Sequence, residues 1–569
     1  MKIYFVLLFA LPLHLFGQTT IIKDVNVLDV ENKKMIRNIS VAISDGKITD
    51  INKFSRIQVS PTDSVIDGTG KYLMPGMIDS HIHFFQSGGL YTRPDAMDLR
   101  DVVPYENEIQ FAKDNVNDYF QRYLRNGITT VIDVGGPLWN YKVRDSIAQN
   151  TIAPNVLATG PLFSMVDRHQ LDKGDPPIIK VTSKEDVLEL FNKQLPYRPD
   201  FIKVWYIVNE ESPAEKTFPL IEYLGQLCQQ NDLKLAVHAT QLATAKLAVK
   251  AGTSILVHSI DDAVIPKSFI KELKDKKVTY IPTLKVTDGY ATTFTGKIDH
   301  QMQDLRWANP KVYGSLSDPN KMDESHMPPR LKSWYGNDLP PFINTMDSIM
   351  RVNLSNLSKA GVNISTGTDA GNIGTMHASS YMAELLAMKK ADLTNWQVIA
   401  YSTINPARGF GVSDKQGSIK MGKQADLLLL NKNPIEDIRN VNAISLVIKS
   451  GQLLNPDSIL IESPEQVVQR QLNAYNARNI EAFLDTYAEN VKIYDEQGQL
   501  VAEGIDAMRD SYTKMFDAVT NLYCEIENRI VMNNKVIDKE KVRLNDRTLH
   551  AVAIYEVSNG KITKVSFVK

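Results

Sequence analysis

The chain has 569 residues, with 64 Lys plus Arg against 66 Asp plus Glu, a formal net charge of −2 at pH 7. This balance, without basic or acidic blocks, argues against nucleic acid or an anionic membrane as partner, and the length predicts two or three domains with a large core. Only Cys228 and Cys524 occur, in segments assigned below to different domains, so no disulfide framework is expected.

In chain order, residues 1–17 come first: Lys2, an apolar run from Ile3 to Phe16, then the small Gly17. This is a signal-peptide pattern, too short for the roughly 20 residues of a spanning helix. No cysteine near it suggests a lipid anchor, and no later segment reads as transmembrane. The expectation is an exported protein, periplasmic or secreted, with no membrane insertion after cleavage. Short alternating runs from Ile21 to Val65 read as strands of a small sheet, and a matching set lies between Gly417 and Asn455. Together they predict one composite β-sandwich domain built from residues 18–70 and 412–460.

Between them, residues 71–411 alternate short apolar strands with helical stretches, at 72–79, 128–136, 155–163, 201–207, 234–239, 254–260, 279–285 and 363–371. Eight such units predict an α/β fold, a (β/α)8 TIM-type barrel with its site at the C-terminal strand ends. Met346, Ile349, Met350, Leu357 and Ala360 share a helical face that Gly361 terminates. The insert from Lys297 to Phe342 reads as a lid or a surface elaboration. After Pro456 the texture changes. Ser463, Pro464 and Gln466 form a helix start with a capping box, and helices then give way to strands, predicting a separate α+β domain over 463–569.

The polar residues at the barrel strand ends carry the chemistry. In "DSHIH" at the end of the first strand, His81 and His83 project to one side of an extended chain and Ile82 to the other. Lys203 lies in the fourth strand, His238 ends the fifth, His258 the sixth and Asp369 the eighth. Singly, each reads as a satisfied core histidine, a snorkelling lysine or a turn-capping aspartate. Four of ten histidines gathering at these ends favours a shared site, and imidazole with carboxylate suits a cation such as Zn2+.

"PGMIDSHIH", "DFIKVW", "VHAT", "VHS", "GTDAG" and the closing "YSTINPARGFGVSDKQGSIKMGKQADLLLLNKNP" resemble the amidohydrolase superfamily in order and placement, over residues 20 to 455. The likeness is greatest to the branch of imidazolonepropionase and metal-dependent Xaa-Pro dipeptidases. It implies two divalent metal ions, with zinc preferred by donor type. His81, His83 and Asp369 would hold the first and His238 and His258 the second, bridged by Lys203 as its CO2-derived carbamate. It further implies hydrolysis of an amide, peptide or cyclic amide C–N bond by a metal-activated hydroxide, with Asp369 as the catalytic proton carrier.

Three alternatives stay open: a one-metal imidazolonase-like enzyme, a lactone-type hydrolase, and a non-catalytic binding protein on the same scaffold. A deaminase is disfavoured because "ATQLATAK" after His238 lacks a glutamate. His169, Trp205, Tyr206 and His377 are candidates for binding a small-molecule or peptide substrate, since they lie in or after barrel strands. The C-terminal domain resembles the cone-shaped fold of the nuclear transport factor, ketosteroid isomerase and polyketide cyclase families. That likeness suggests ligand binding or homo-oligomer formation, with Tyr487, Asp495 and Asp538 as conceivable pocket groups.

Overall fold

The structure, a computed structural model, describes residues 19–150 and 152–568, so the predicted signal peptide lies outside the described residues. Strands from both ends of the hydrolase segment interleave in one eight-stranded sheet. Leu427–Leu430 runs antiparallel to Tyr72–Pro75, which in turn pairs with Thr20–Asp29, so the late strand completes a sheet begun by the early ones. Ile22, Val27, Val41, Leu73, Leu427 and Ile448 fill its own apolar cluster.

The barrel begins one residue later. The run expected as a single strand over 72–79 is divided by Gly76 into Tyr72–Pro75 of the small sheet and Met77–Ile82 of the barrel. A Cβ on Gly76 would lie 2.1 Å from Thr129 Oγ1, so a side chain has no room at this crossing. Met77–Ile82, Ile128–Asp133 and Asn155–Ala158 form one parallel sheet. Leu162–Ser164, Ile202–Trp205, Leu235–His238, Ile255–Val257, Thr279–Ile281 and Asn363–Ile364 run parallel in a second, with Ile178–Lys180 at its edge. The expected third strand, 155–163, breaks at Gly160 and Pro161, where proline removes a ladder donor.

Backbone bonds join the last strand to the first. Ser80 N donates to Thr366 O (2.9 Å), Asp369 N to His81 O (2.7 Å) and His83 N to Ala370 O (2.8 Å). The result is a (β/α)8 barrel whose lower interior is plugged by Ile78, Ile132, Phe201, Ile255, Val257 and Ile281. Helix Pro341–Ala360 carries the predicted apolar face, buries Met350 and Leu357, and ends at Gly361 in the left-handed region (φ 79°).

The C-terminal unit opens with the capping box of Ser463 and Gln466 on helix Pro464–Asn476. Helices Ile480–Leu484 and Ile505–Ala518 and a six-stranded sheet complete it. It packs against the barrel insert, where Asn473 Nδ2 donates to Pro310 O (2.7 Å). An ion pair between the buried Arg122 and the partly buried Asp118 organises the junction. Arg122 is bidentate on Asp118 (2.8 and 3.0 Å) and donates to the carbonyls of Trp307 and Ala308. Asp118 also accepts from Asn309 and from Gln466, and Glu462 lies 3.7 Å from Arg122. Barrel helix, insert and C-terminal unit thus meet at one guanidinium.

Arg122→Met removes the cation from the partly buried Asp118 and its donors from the carbonyls of Trp307 and Ala308, which should cost about 1–3 kcal/mol. Equilibrium denaturation should register that loss; a midpoint equal to the wild type's would show that the hub carries no net stability.

Candidate functional site

Four histidines, Lys203 and Asp369 line one cavity of about 240 Å3 at the C-terminal ends of the barrel strands. His81 Nε2, His83 Nε2 and Asp369 Oδ1 form a nearly equilateral triangle, with edges of 3.2, 3.1 and 3.3 Å. Ligands about 2.05 Å from a tetrahedral cation lie about 3.3 Å apart, so this triangle has the size of one face of a coordination shell. A second grouping, His81, His258 and Asp369, offers ligand atoms all within 4.8 Å of one another.

The surroundings orient the rings. His83 Nδ1 donates to Gly135 O (2.7 Å), which leaves its Nε2 with the lone pair for a cation, and His258 Nδ1 pairs with the Thr283 hydroxyl (2.8 Å). His238 packs edge-on against His258 with centroids 4.3 Å apart. Ile82 turns into the main core. The backbone is strained here, with His258, Thr283 and Asp369 at φ 75°, 45° and 62°. Such residues cost about 1–3 kcal/mol each and persist where the surroundings over-determine them.

Four buried polar atoms in this cluster have no hydrogen-bond partner: His81 Nδ1, Lys203 Nζ, His238 Nε2 and Asp369 Oδ1. Asp369 Oδ1 lies close to two imidazole nitrogens yet bonds to neither in hydrogen-bond geometry, an arrangement suited to a cation held between them. Burial pushes His81 down to about 3 and His238 and His258 well below the ordinary imidazole value, so they stay neutral, as ligands must be. For Asp369 burial opposes ionisation, while a proton on the His81, His83 or His258 ring favours it and draws the carboxyl well below its usual range. Burial pushes the Lys203 amine down to about 7, against the pull of Asp369. An amine near that value offers a free lone pair at neutral pH, the state that reacts with CO2. The donor set therefore fits divalent cations.

The structure places the remaining sequence candidates differently. Trp205 lines the cavity with its ring 5.9 Å from His238. Tyr206 is buried below the rim with its hydroxyl donating to Ala214 O (2.7 Å). His169 is exposed beside Asp167. His377 lies behind the wall, its two nitrogens on Tyr123 OH and Gln86 O and its ring near Phe84 and Tyr119, where it fixes the segment carrying Gln86. In the C-terminal unit Tyr487 lines a separate cavity of about 310 Å3, Asp538 is bidentate on Arg529, and Asp495 caps a turn.

Residues that sequence reasoning missed include Asp79, whose carboxyl holds Thr368 N and Oγ1 (3.0 and 2.7 Å), and Asp133, which holds Gly135 N and Asn140. Burial raises both to about 7. Their signal was a carboxylate inside an apolar strand. Arg93, Asp261, Tyr290 and Asn372, on the cavity wall, come from loops and a helix without such a signal. A larger cavity, about 410 Å3 at the junction with the C-terminal unit, has no comparable convergence of histidine and carboxylate.

Residues 72–454 match the sequence profile of the amidohydrolase family. The chain belongs to this family. It is accordingly a hydrolase acting on carbon–nitrogen bonds, and residues 468–565 match a SnoaL-like domain. Among amidohydrolase relatives, the 5-methylthioadenosine/S-adenosylhomocysteine deaminase of Thermoanaerobacter pseudethanolicus is 21% identical over 83% of this chain and 99% of its own. Ochratoxinase of Aspergillus niger is 23% identical over 74% of this chain and 84% of its own. A solved Xaa-Pro dipeptidase with bound methionine in its active site superposes with a TM-score of 0.59 at 21% identity, covering 77% of this chain and all of that one.

The lowered Lys203 has a measurable consequence. The amine has a folded-state value of about 7 against an ordinary 10.5, so between these the unfolded chain holds a proton that the folded one has released. Burial of Lys203 therefore destabilises the metal-free protein fully below pH 7, and the deficit disappears towards pH 10.5, at up to about 1.4 kcal/mol per pH unit. Denaturant titrations of metal-free wild type should gain stability across that window relative to Lys203→Met; parallel pH profiles would show an unperturbed amine.

Proposed function

We propose that the protein cleaves an amide, peptide or cyclic-amide bond at a centre of two divalent ions, zinc by donor type. His81, His83 and Asp369 would hold one ion, and His238 and His258 the other. Lys203 as its carbamate would bridge them. The observation that carries this reading is the convergence of the histidine and aspartate donors with an unpartnered, low-pKa lysine on one cavity floor. Bound there, divalent cations would supply Lewis acidity toward a carbonyl and toward water.

The chain's own groups do the rest. Asp369, ionised and with one oxygen unpartnered, is placed to take a proton from the attacking water and pass it to the departing nitrogen. Trp205, Phe85, Leu162 and Ile178 give the cavity an apolar wall that limits competing water. Among the described residues no glutamate lines the cavity, and Ala239 and Thr240 follow His238. These two facts favour cleavage of an amide over deamination of a ring. The N-terminal sequence supports export as part of the same proposal, which fractionation of expressing cells would check.

Metal analysis of the purified protein joined to a hydrolysis screen over dipeptides, N-acyl amino acids and cyclic amides tests the reading. Two divalent ions per chain and release of an amine are expected; turnover of lactones alone would move the chemistry to C–O bonds. Asp369→Asn should lower kcat by about 10²–10⁴. An Asp369→Asn protein with its metals and nearly full turnover would remove the proton-carrier role.

A further inference from the structure

Helix Leu284–Thr295 follows the barrel strand Thr279–Ile281, and the residue just before it, Thr283, is the one whose hydroxyl pairs with His258 Nδ1 (2.8 Å). A threonine in this position normally turns its own oxygen onto the second or third amide of the helix. Thr283 does not: its backbone is left-handed (φ 45°, ψ 58°) and its side chain accepts no bond from the helix. The first amides are capped from elsewhere. Leu284 N donates to Glu384 Oε1 (3.0 Å) and Lys285 N to Glu384 Oε2 (2.8 Å), so one carboxyl engages both donors.

Glu384 belongs to helix Tyr381–Lys389, where it is fully buried together with Tyr381, Leu385 and Met388. It does not line the candidate cavity. For packing alone an apolar side chain would serve better there than a carboxyl taken out of water. What Glu384 adds is a pair of acceptors at a helix N-terminus, where free amides and the dipole favour an anion. Thr283 is thereby gripped from both sides. Ser259 N donates to Pro282 O (2.9 Å), which ties the preceding residue to the strand end of His258, and Glu384 holds the two residues that follow. Without Glu384, Lys285 N would need another acceptor. The ordinary helix-capping conformation supplies one: Thr283 would leave the strained left-handed region and turn its hydroxyl from His258 onto that amide.

We infer that Glu384 is a positioning residue for His258, and through it for the cation that His258 holds. By capping the helix in place of Thr283, it keeps the Thr283 hydroxyl on His258 Nδ1 and so fixes the orientation of that imidazole. Glu384 meets neither ion nor substrate and acts through Thr283. This rests on the reading of His258 as a metal ligand, and it names the distant residue that sets the ligand's geometry.

The test titrates the full-length, metal-free protein with Co2+, read by calorimetry and by cobalt d–d absorption, with His258→Asn marking which ion depends on His258. Glu384→Gln keeps one acceptor oxygen and sets an NH2 group against the other amide; it should weaken that ion about tenfold and leave the other within about twofold. Thr283→Val, of the same shape but without the hydroxyl, should do the same. The double variant should stay near about tenfold rather than reach about a hundredfold, because both changes break one relay. Additive losses, or equal weakening of both ions, would mark a general structural role and overturn the inference. Long-range 1H–15N spectra of metal-free, 15N-histidine-labelled protein read the ring itself. The His258 signal, assigned by its loss in His258→Asn, should move in Glu384→Gln in the same direction as in Thr283→Val. An unmoved signal, or unchanged Co2+ affinity in Thr283→Val, which leaves Glu384 in place, overturns the inference and leaves the two-ion function standing. Uptake of a single Co2+ by the wild type, with the His258 signal moving in both variants, overturns the two-ion function and leaves Glu384 in its positioning role.

Discussion

The barrel closes on the hydrogen bonds that pair the segment around Asp369 with the first strand, and the site depends on that closure. The bond from Asp369 N to His81 O and that from His83 N to Ala370 O bring one carboxylate and two imidazoles, nearly three hundred residues apart in sequence, to within about 3 Å of one another. The Asp79 carboxyl secures the same seam by holding Thr368 at both its backbone and its hydroxyl. A register slip of one residue here would turn His81 and His83 to the opposite face, so the fold and the chemistry share one set of contacts.

The same economy explains the buried charges. Lys203 and Asp369 lie in an environment that penalises charge, with polar atoms that bond to nothing in the protein. A chain selected for stability alone would fill these positions with apolar side chains. Strain at His258, Thr283 and Asp369 falls at the same strand ends, so local rules of foldability are broken together where ligand geometry requires it.

Much of this was legible in the sequence because it is short-range. Alternation aims His81 and His83 together, and an apolar run interrupted by Lys203 or ended by His238 marks a strand whose last residues face the barrel mouth. Legibility stops where the backbone loses its period. His169 and His377 follow the right strands, yet one points to solvent beside Asp167 and the other packs among Phe84, Tyr119 and Tyr123, because a loop side chain takes its direction from contacts rather than from spacing. Arg93, Tyr290 and Asn372 were invisible for the same reason: a loop, a helix and a turn bring them together. Gly76 hid a boundary inside an apparently continuous apolar run, since residues on both sides of it are equally apolar and only the approach of Thr129 distinguishes them.

That crossing at Gly76 also limits how the molecule can move. The chain passes from the small sheet into the barrel through a single residue pressed against Thr129, and Leu427–Leu430 locks the sheet side of the passage. Hinge opening between two bodies needs slack backbone where they join, and the Gly76 crossing offers none. Access to the interior then falls to the rim, to the side chains of Gln86, Arg93, Val286 and Tyr290. Exchange with solvent is then a matter of side-chain and loop motion, faster than any rotation of whole domains.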